Sequence, residues 1–330
     1  MKTNGGDARE GRTGGGGEGA RFLCLCMAPA LDATVSLPRA PAGRGEIFKD
    51  VAGETVAGGK GLNVARWLAL RGASVACRGL LGEDNAAPFA REMARFGVED
   101  RLLRVPGATR VNEMVAWPGG CFKLNRPPFP GLDPDRAREV LDGLGGPEDA
   151  EGAAVRVAIL SGSLPAAVPP DFYARAVERL RARGWTTVLD ASGEALRLGV
   201  EAGPDLVKPN ADECEALVGF VPRSPDEFRR ATDALRRRAG SVVVSDGARG
   251  AWFDGEPVPA PAVEAADTTA AGDTLLAEYC WRTWGGGAAG RGPGAPSPAR
   301  WAVAAGSAAC TMPGGRPPAP GLVERLARGA

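Results

Sequence analysis

The chain alternates short apolar runs with segments of helical periodicity. "RFLCLCM" (21–27), "SVACRGLLG" (74–82), "VRVAILSG" (155–162), "TTVLD" (186–190), "DLV" (205–207) and "SVVV" (241–244) read as strands. Between them, "LNVARWLALRGA" (62–73), "APFAREMARFGV" (87–98), "PDFYARAVERLRARG" (170–184) and "DEFRRATDALRRRAG" (226–240) space apolar residues three and four apart, which predicts helices. Strand–helix repetition with apolar strands predicts an α/β fold, a mostly parallel central sheet flanked by helices on both faces. Two stretches break this rhythm. Residues 38–56 and 109–125 alternate apolar and polar positions with no helix between, and predict a small antiparallel β-sheet lid, its segments at about 36–56 and 108–125.

In such a sheet, ligands gather beyond the carboxyl ends of the strands. The polar residues there are Asp32, "SGS" at 161–163, Asp190, "KPN" at 208–210 and "SDG" at 245–247. Any one of them is a common turn residue, but their recurrence on one edge points to a site. "AGGKGLNVARWLALRG" (57–72) sets glycines 58, 59 and 61 before a helix, with Lys60 and Asn63 at its mouth. Glycine lets backbone approach a ligand, and free amides at a helix start favour an anion. The spacing is not that of a P-loop, and a purely structural Gly-rich turn is the competing reading. "DTTAAGDTLLAEY" (267–279) repeats the design: Ala270, Ala271 and Gly272 leave their amides open to an anion, and a helix begins near Thr274. Asp273 is placed to accept a proton from an attacking hydroxyl, with plain helix capping as the alternative.

Composition narrows the chemistry. Forty basic and forty acidic side chains cancel, so no global field recruits nucleic acid or an anionic membrane. With no histidine, a Ser-His-Asp triad is excluded, and proton transfer falls to carboxylates, lysine or cysteine. Seven cysteines without CxxC spacing indicate a reduced, cytoplasmic protein, with Cys24 and Cys26 as core thiols. Residues 1–20 are Gly-rich without an apolar segment, which predicts a disordered tail rather than a signal peptide. No apolar run reaches membrane-spanning length. The stretch 285–299, again rich in glycine and proline, is expected to be a solvent loop.

Taken in order, "GGKGLN", "SGSLP", "LDASGEAL", "LVKPNADE", "VVVSDGARGAWF", "DTTAAGDT" and "VAAGSAACTMPG" resemble the PfkB (ribokinase-like) carbohydrate kinases over residues 21–330. "APALDATVSL", "RGEIFKDVAGETVAGGKGLNVA" and "TRVN" are most similar to the branch holding 1-phosphofructokinase, tagatose-6-phosphate kinase and the minor 6-phosphofructokinase. The resemblance implies a ribokinase-like kinase domain over 21–330 with a β lid through which two copies dimerise, and ATP with Mg²⁺ as phosphoryl donor. It implies Asp273 as catalytic base and Ala270, Ala271 and Gly272 as an anion hole. Asp32, Gly59, Lys60 and Asn63 match sugar-binding positions, Arg110 and Asn112 a segment that contacts substrate phosphate, and Arg44 a basic lid position. Lys208, Asn210, Ser245, Gly247, Gly250 and Gly306 match the nucleotide side, with Glu213 reaching the metal through the phosphate network.

The expected reaction is phosphorylation of a ketohexose monophosphate, fructose 1-phosphate to fructose 1,6-bisphosphate. A phosphomonoester needs several cations, and arginine grips it bidentately. Tagatose 6-phosphate, fructose 6-phosphate and a free sugar remain alternatives, as does a non-catalytic sugar-phosphate-binding protein. Three departures from the family pattern stand out: Ala28 replaces an asparagine before Asp32, Asp246 puts a charge in the nucleotide turn, and "WPGGCFKLNRPPFPG" (117–131) is unusually rich in proline and glycine.

Overall fold

The structure is a computed structural model and describes residues 20–150, 152–286 and 295–329. In chain order the strands are β1 (Ala20–Cys26), β2 (Ala30–Ser36), β3 (Ala52–Gly58), β4 (Ser74–Gly82), β5 (Glu99–Val105), β6 (Val111–Trp117), β7 (Gly120–Leu124), β8 (Val155–Ser161), β9 (Thr186–Asp190), β10 (Leu206–Val207), β11 (Ser241–Ser245), β12 (Gly250–Phe253) and β13 (Glu256–Pro259). The helices are α1 (Lys60–Leu70), α2 (Ala87–Phe96), α3 (Pro134–Gly143), α4 (Pro147–Ala150), α5 (Phe172–Ala182), α6 (Gly193–Glu201), α7 (Cys214–Val218), α8 (Pro225–Arg236), α9 (Ala271–Trp284), α10 (Pro298–Cys310) and α11 (Pro320–Arg328).

The large sheet runs β13-β12-β11-β10-β9-β8-β1-β4-β5. It is parallel from β5 to β11, and the β11-β12-β13 edge is antiparallel. Strand alternation splits the apolar residues into two cores. Phe22, Cys24 and Cys26 of β1, with Val157 and Ile159 of β8, face one core with side chains from α1, α2, α9, α10 and α11. Leu23, Leu25, Ala158 and Leu160 face the other, with those from α3, α5, α6, α7 and α8. The expected helix-flanked, mostly parallel sheet is therefore present, and Cys24 and Cys26 are core thiols. All seven cysteines are free, as the absence of paired spacing suggested.

The lid is a second sheet, β3-β2-β6-β7. Its composition corrects the expectation in two ways. Its central pair, β2 and β6, is parallel, so the sheet is mixed rather than antiparallel. And β2 belongs to it, although the alternation pointed only to later residues, whereas residues 37–51 form no strand. The chain leaves β1 and enters the lid after only residues 27–29, so Asp32 lies inside a lid strand instead of at the end of a sheet strand.

Of the expected tail, only Ala20 lies within the described residues, where it opens β1. The expected 285–299 loop falls largely outside them, at residues 287–294. Among the described residues, no helix is long and apolar enough to cross a membrane.

Candidate active site

A cavity of about 530 Å³ lies between the lid and the carboxyl ends of the large sheet. Two helix mouths open into it. At the first, Gly59 has φ 110° and precedes α1. A Cβ there would lie 2.9 Å from Pro29 Cα and 3.1 Å from Cys26 Sγ, so glycine is required both by conformation and by space. Gly61 packs α1 on β1 so closely that a Cβ would sit 2.4 Å from the Leu25 carbonyl oxygen. At the second mouth, α9 begins at Ala271, three residues earlier than expected, because Ala270 takes the left-handed conformation (φ 63°) at the N-cap. Alanine pays for that backbone angle in strain that glycine would avoid. The first turn is completed by Thr274, whose backbone N–H and hydroxyl both donate to the Ala270 carbonyl at 2.9 Å.

Lys60, Asn63, Gly272 and Asp273 converge between these mouths. Asn63 Nδ2 donates to Asp273 Oδ2 at 2.8 Å. Asp273 is 6% exposed, and burial raises its carboxyl above the usual range; Asp190 pushes the same way, while Lys60, Asn63 and Lys208 pull it down. Asp190, at the end of β9, is 1% exposed and takes both Lys60 Nζ and Lys208 Nζ on Oδ1, each at 3.2 Å. Burial pushes Asp190 up, but the two lysines outweigh it and hold the carboxyl below its ordinary value. For Lys60, the carboxylates of Asp190, Asp273 and Glu213 overcome burial and keep the ammonium charged. Asp190 appeared in the sequence as a polar strand end but not as a partner of either lysine. Gly272 leaves room beside Lys208, whose Nζ would be 3.6 Å from a Cβ there.

The lid supplies the opposite wall. Asp32 and Asn112 are register partners in β2 and β6, and Asn112 Nδ2 donates to Asp32 Oδ1 at 3.0 Å. Burial raises the Asp32 carboxyl, with Asn112 and Arg110 opposing. Arg110 lines the cavity, and its Nη2 donates to the Ala28 carbonyl at 3.2 Å, so the backbone of the residue that replaces asparagine serves as its anchor. Lys123 of β7, which the pattern reading passed over, reaches from the lid to Asp267 Oδ1 at 3.3 Å. Asp267 in turn accepts from the Thr269 N–H and hydroxyl and from the Gly314 N–H. A lysine on an alternating strand gives no sign of which face it occupies until the strand is paired.

Of the residues expected to meet a nucleotide, Lys208, Asn210, Glu213 and Ser245 line the same cavity. Asn210 and Glu213 lock each other: the Asn210 N–H donates to Glu213 Oε2 at 2.9 Å, and the Glu213 N–H to Asn210 Oδ1 at 2.7 Å. Gly247 and Gly250 both have positive φ in the turn after β11, and a Cβ on Gly250 would meet the Val258 carbonyl at 2.1 Å. Asp246 takes two N–H bonds from Arg249, at 2.7 and 2.6 Å, and is neutralised within the turn.

Five expected site residues do not line the cavity: Arg44, Gly247, Gly250, Ala271, whose N–H is turned to the Thr268 carbonyl, and Gly306. Arg44 is exposed in the 37–51 loop, because no strand carries that part of the chain back over the sheet. Gly306 is buried in α10, where a Cβ would lie 3.2 Å from both the Ala271 carbonyl oxygen and Leu275 Cβ. It permits close packing of α10 on α9, behind the anion turn.

A two-sheet α/β body with a carboxylate and small-residue turn at a helix mouth defines a small-molecule kinase. The pfkB family carbohydrate kinase model matches residues 147–320, and the chain belongs to that family. Within it, 1-phosphofructokinase of Rhodobacter capsulatus is 36% identical over 274 residues, covering 78% of this chain and 82% of its own length. 1-Phosphofructokinase of Escherichia coli (strain K12) is 33% identical over 264 residues, with the same coverage. Among solved structures, phosphofructokinase-2 from Escherichia coli in complex with substrates and products superposes with a TM-score of 0.79 at 27% identity, covering 93% of this chain and 98% of that one.

Proposed function

We propose that this protein transfers the terminal phosphoryl group of ATP to the 6-hydroxyl of fructose 1-phosphate, giving fructose 1,6-bisphosphate and ADP. The observation that carries the reading is the convergence of Asp273, held by Asn63 at the mouth of α9, with Lys60, Lys123 and Arg110 around one cavity. The named relatives, both 1-phosphofructokinases, support the choice of sugar.

Asp273 accepts the hydroxyl proton as the oxygen bonds to the transferring phosphorus and the bond to the ADP oxygen breaks. A loose transition state asks for little early proton removal, so placement counts for more than basicity. A carboxyl raised by burial is nonetheless a better base than an exposed one. The Ala271 N–H is taken by the Thr268 carbonyl at 3.3 Å, so the Gly272 amide, with the dipole of α9, is left to stabilise charge on the transferring group. Arg110, with Lys123, grips the substrate phosphate, and Asp32, Asn112 and Gly59 hold the sugar. Lys208 and the turn from Ser245 to Gly250 receive the nucleotide.

No cluster of three or more histidine, cysteine or acidic side chains suited to a metal occurs among the described residues. Mg²⁺ keeps most of its water and binds chiefly through phosphate oxygens. Asn210 and Glu213 would hold its water shell, and the ion supplies charge neutralisation to the phosphates.

Residues 21–330 form the kinase domain in this reading, with the lid inserted and residues 1–20 outside it, in a cytoplasmic protein. Ile47, Phe122 and Leu124 expose apolar surface on the lid, which supports a homodimer through that sheet.

The test is ADP release with ATP and Mg²⁺ across fructose 1-phosphate, fructose 6-phosphate, tagatose 6-phosphate, fructose and ribose. Turnover confined to fructose 1-phosphate is the expected result. Preference for fructose 6-phosphate or a free sugar would overturn the substrate, and no turnover with any of them would favour a sugar-phosphate-binding protein.

A further inference from the structure

Arg66 is 2% exposed, unusually deep for an arginine, on the second turn of α1. Its Nη1 donates to Glu92 Oε1 of α2 at 2.9 Å. Its Nη2 donates to Asn63 Oδ1 and, at 3.3 Å, to the carbonyl of Gly315. Gly315 packs on Thr269 and Ala270, so the same guanidinium touches the support of the anion turn.

The chemistry of the guanidinium decides the orientation of its neighbour. Arginine has five donors and no acceptor, whereas an asparagine amide has one end of each kind. Arg66 therefore admits only the oxygen of Asn63, and the NH₂ end must point at Asp273. The flipped amide would set its NH₂ against the Arg66 guanidinium, donor facing donor, and its oxygen against the Asp273 carboxylate, two acceptors at hydrogen-bond distance, which is tolerable at Asp273 only if that carboxyl is protonated. We propose that Arg66 is a positioning residue that fixes the Asn63 amide so that Asp273 stays ionised with one oxygen, Oδ1, turned to the substrate hydroxyl.

The proposal rests on the reading of Asp273 as base. The charged groups facing Asp273 are Lys60 from α1, Asp190 at the end of β9 and Lys208 after β10. Arg66 acts on it through Asn63, since Nη1 donates to Glu92 and Nη2 to Asn63 and Gly315, and none of these bonds reaches the carboxylate. Burial pushes the Asp273 carboxyl up and the Asn63 bond holds it down, so losing the bond removes one of the contacts that keep the base ready at neutral pH.

The experiment is a carboxyl ¹³C titration of the full chain, with Asp273 assigned by its loss in Asp273→Asn. It is run in the wild type, Arg66→Met, Asn63→Leu, the double variant and Arg66→Lys, beside the pH profile of kcat/KM. Arg66→Met is expected to raise the Asp273 midpoint by about one pH unit and to move the acid limb of the profile with it. Asn63→Leu should raise it too, and Arg66→Met should add nothing in that background. Arg66→Lys, which keeps a donor toward Asn63, should restore most of the wild-type midpoint.

An unchanged midpoint in Arg66→Met would overturn the proposal, as would a shift that persists in the Asn63→Leu background, the mark of a through-space charge. If Arg66→Met does not fold, Asn63→Leu and Arg66→Lys decide: an unshifted midpoint in the first, or a full shift in the second, overturns it. Failure of the base assignment looks different. Asp273→Asn would then keep its turnover, while the titrations still report whether Arg66 governs the carboxyl.

Discussion

The two helix mouths solve one problem with different materials. At α1 the chain must turn with Pro29 and Cys26 directly behind it, so Gly59 is demanded by both angle and space. At α9 the turn has the same left-handed requirement but room for a methyl group, and Ala270 fills it at a cost in strain. The first mouth is built for close packing and presents cations and amides through Lys60 and Asn63. The second is turned by small residues and presents a carboxylate, Asp273. Asp190 lies between them and binds Lys60 from the first mouth and Lys208 beside the second.

If the second mouth holds the chemistry, Asp273→Asn lowers kcat by about 10²–10⁴-fold while leaving substrate affinity near normal, as steady-state kinetics with binding titrations will read. The same variant is expected to raise the thermal midpoint at neutral pH. A carboxyl whose folded pKa is raised stabilises the fold while protonated and loses that stabilisation as pH rises through its titration, so a neutral amide removes the cost. If the mouths are joined by Asp190, Asp190→Asn leaves the buried Lys208 ammonium without its carboxylate, while the half-buried Lys60 keeps Asp273 and Glu213 nearby, and destabilises the fold by about 3–5 kcal/mol in chemical denaturation. Its depressed pKa gives the sign of the pH effect: the stability it contributes is present above the unfolded carboxylate pKa and fades as pH falls through the folded one. The wild type therefore loses stability in acid faster than the variant.

Gly61→Ala sharpens the contrast in packing, forcing α1 off β1 at a cost of about 1–3 kcal/mol by denaturant unfolding. The smallest effect belongs to Ala270→Gly. Relief of the left-handed strain, less the extra freedom given to the unfolded chain, stabilises by about 0.5–1 kcal/mol. A loss of stability in Ala270→Gly would mean instead that the packing of the methyl group outweighs the strain of its backbone angle.

Both mouths were legible because small residues followed by a helical period leave a local mark. The central parallel strands were legible for the same reason. β2 was not, since "ALDATVS" alternates weakly and follows a stronger strand almost without a break. Partners were harder still: Lys60 and Asp190 are 130 residues apart, and only the strand order β1-β8-β9, with α1 packed on β1 and β8, brings them together. Gly306 looked like a ligand glycine because sequence cannot distinguish a residue that lets a nucleotide approach from one that lets a helix approach. Arg44 carried the right charge on a stretch that never forms the strand assumed for it.

The links between lid and body carry a mechanical consequence. Residues 27–29 join β1 to β2, and Gly59 alone joins β3 to α1. Pro29 has its φ locked by its ring, and Gly59 is pinned by the atoms behind it. These two are the shortest of the lid's four links to the body, the others running through residues 106–110 and 125–133, so on this side the lid behaves as a cantilever rather than a flap on a slack string. Any rocking that widens the cavity pivots on Pro29 and Gly59 and carries Asp32 away with β2 while Lys60 stays with α1, so the gap between those two side chains measures the position of the lid.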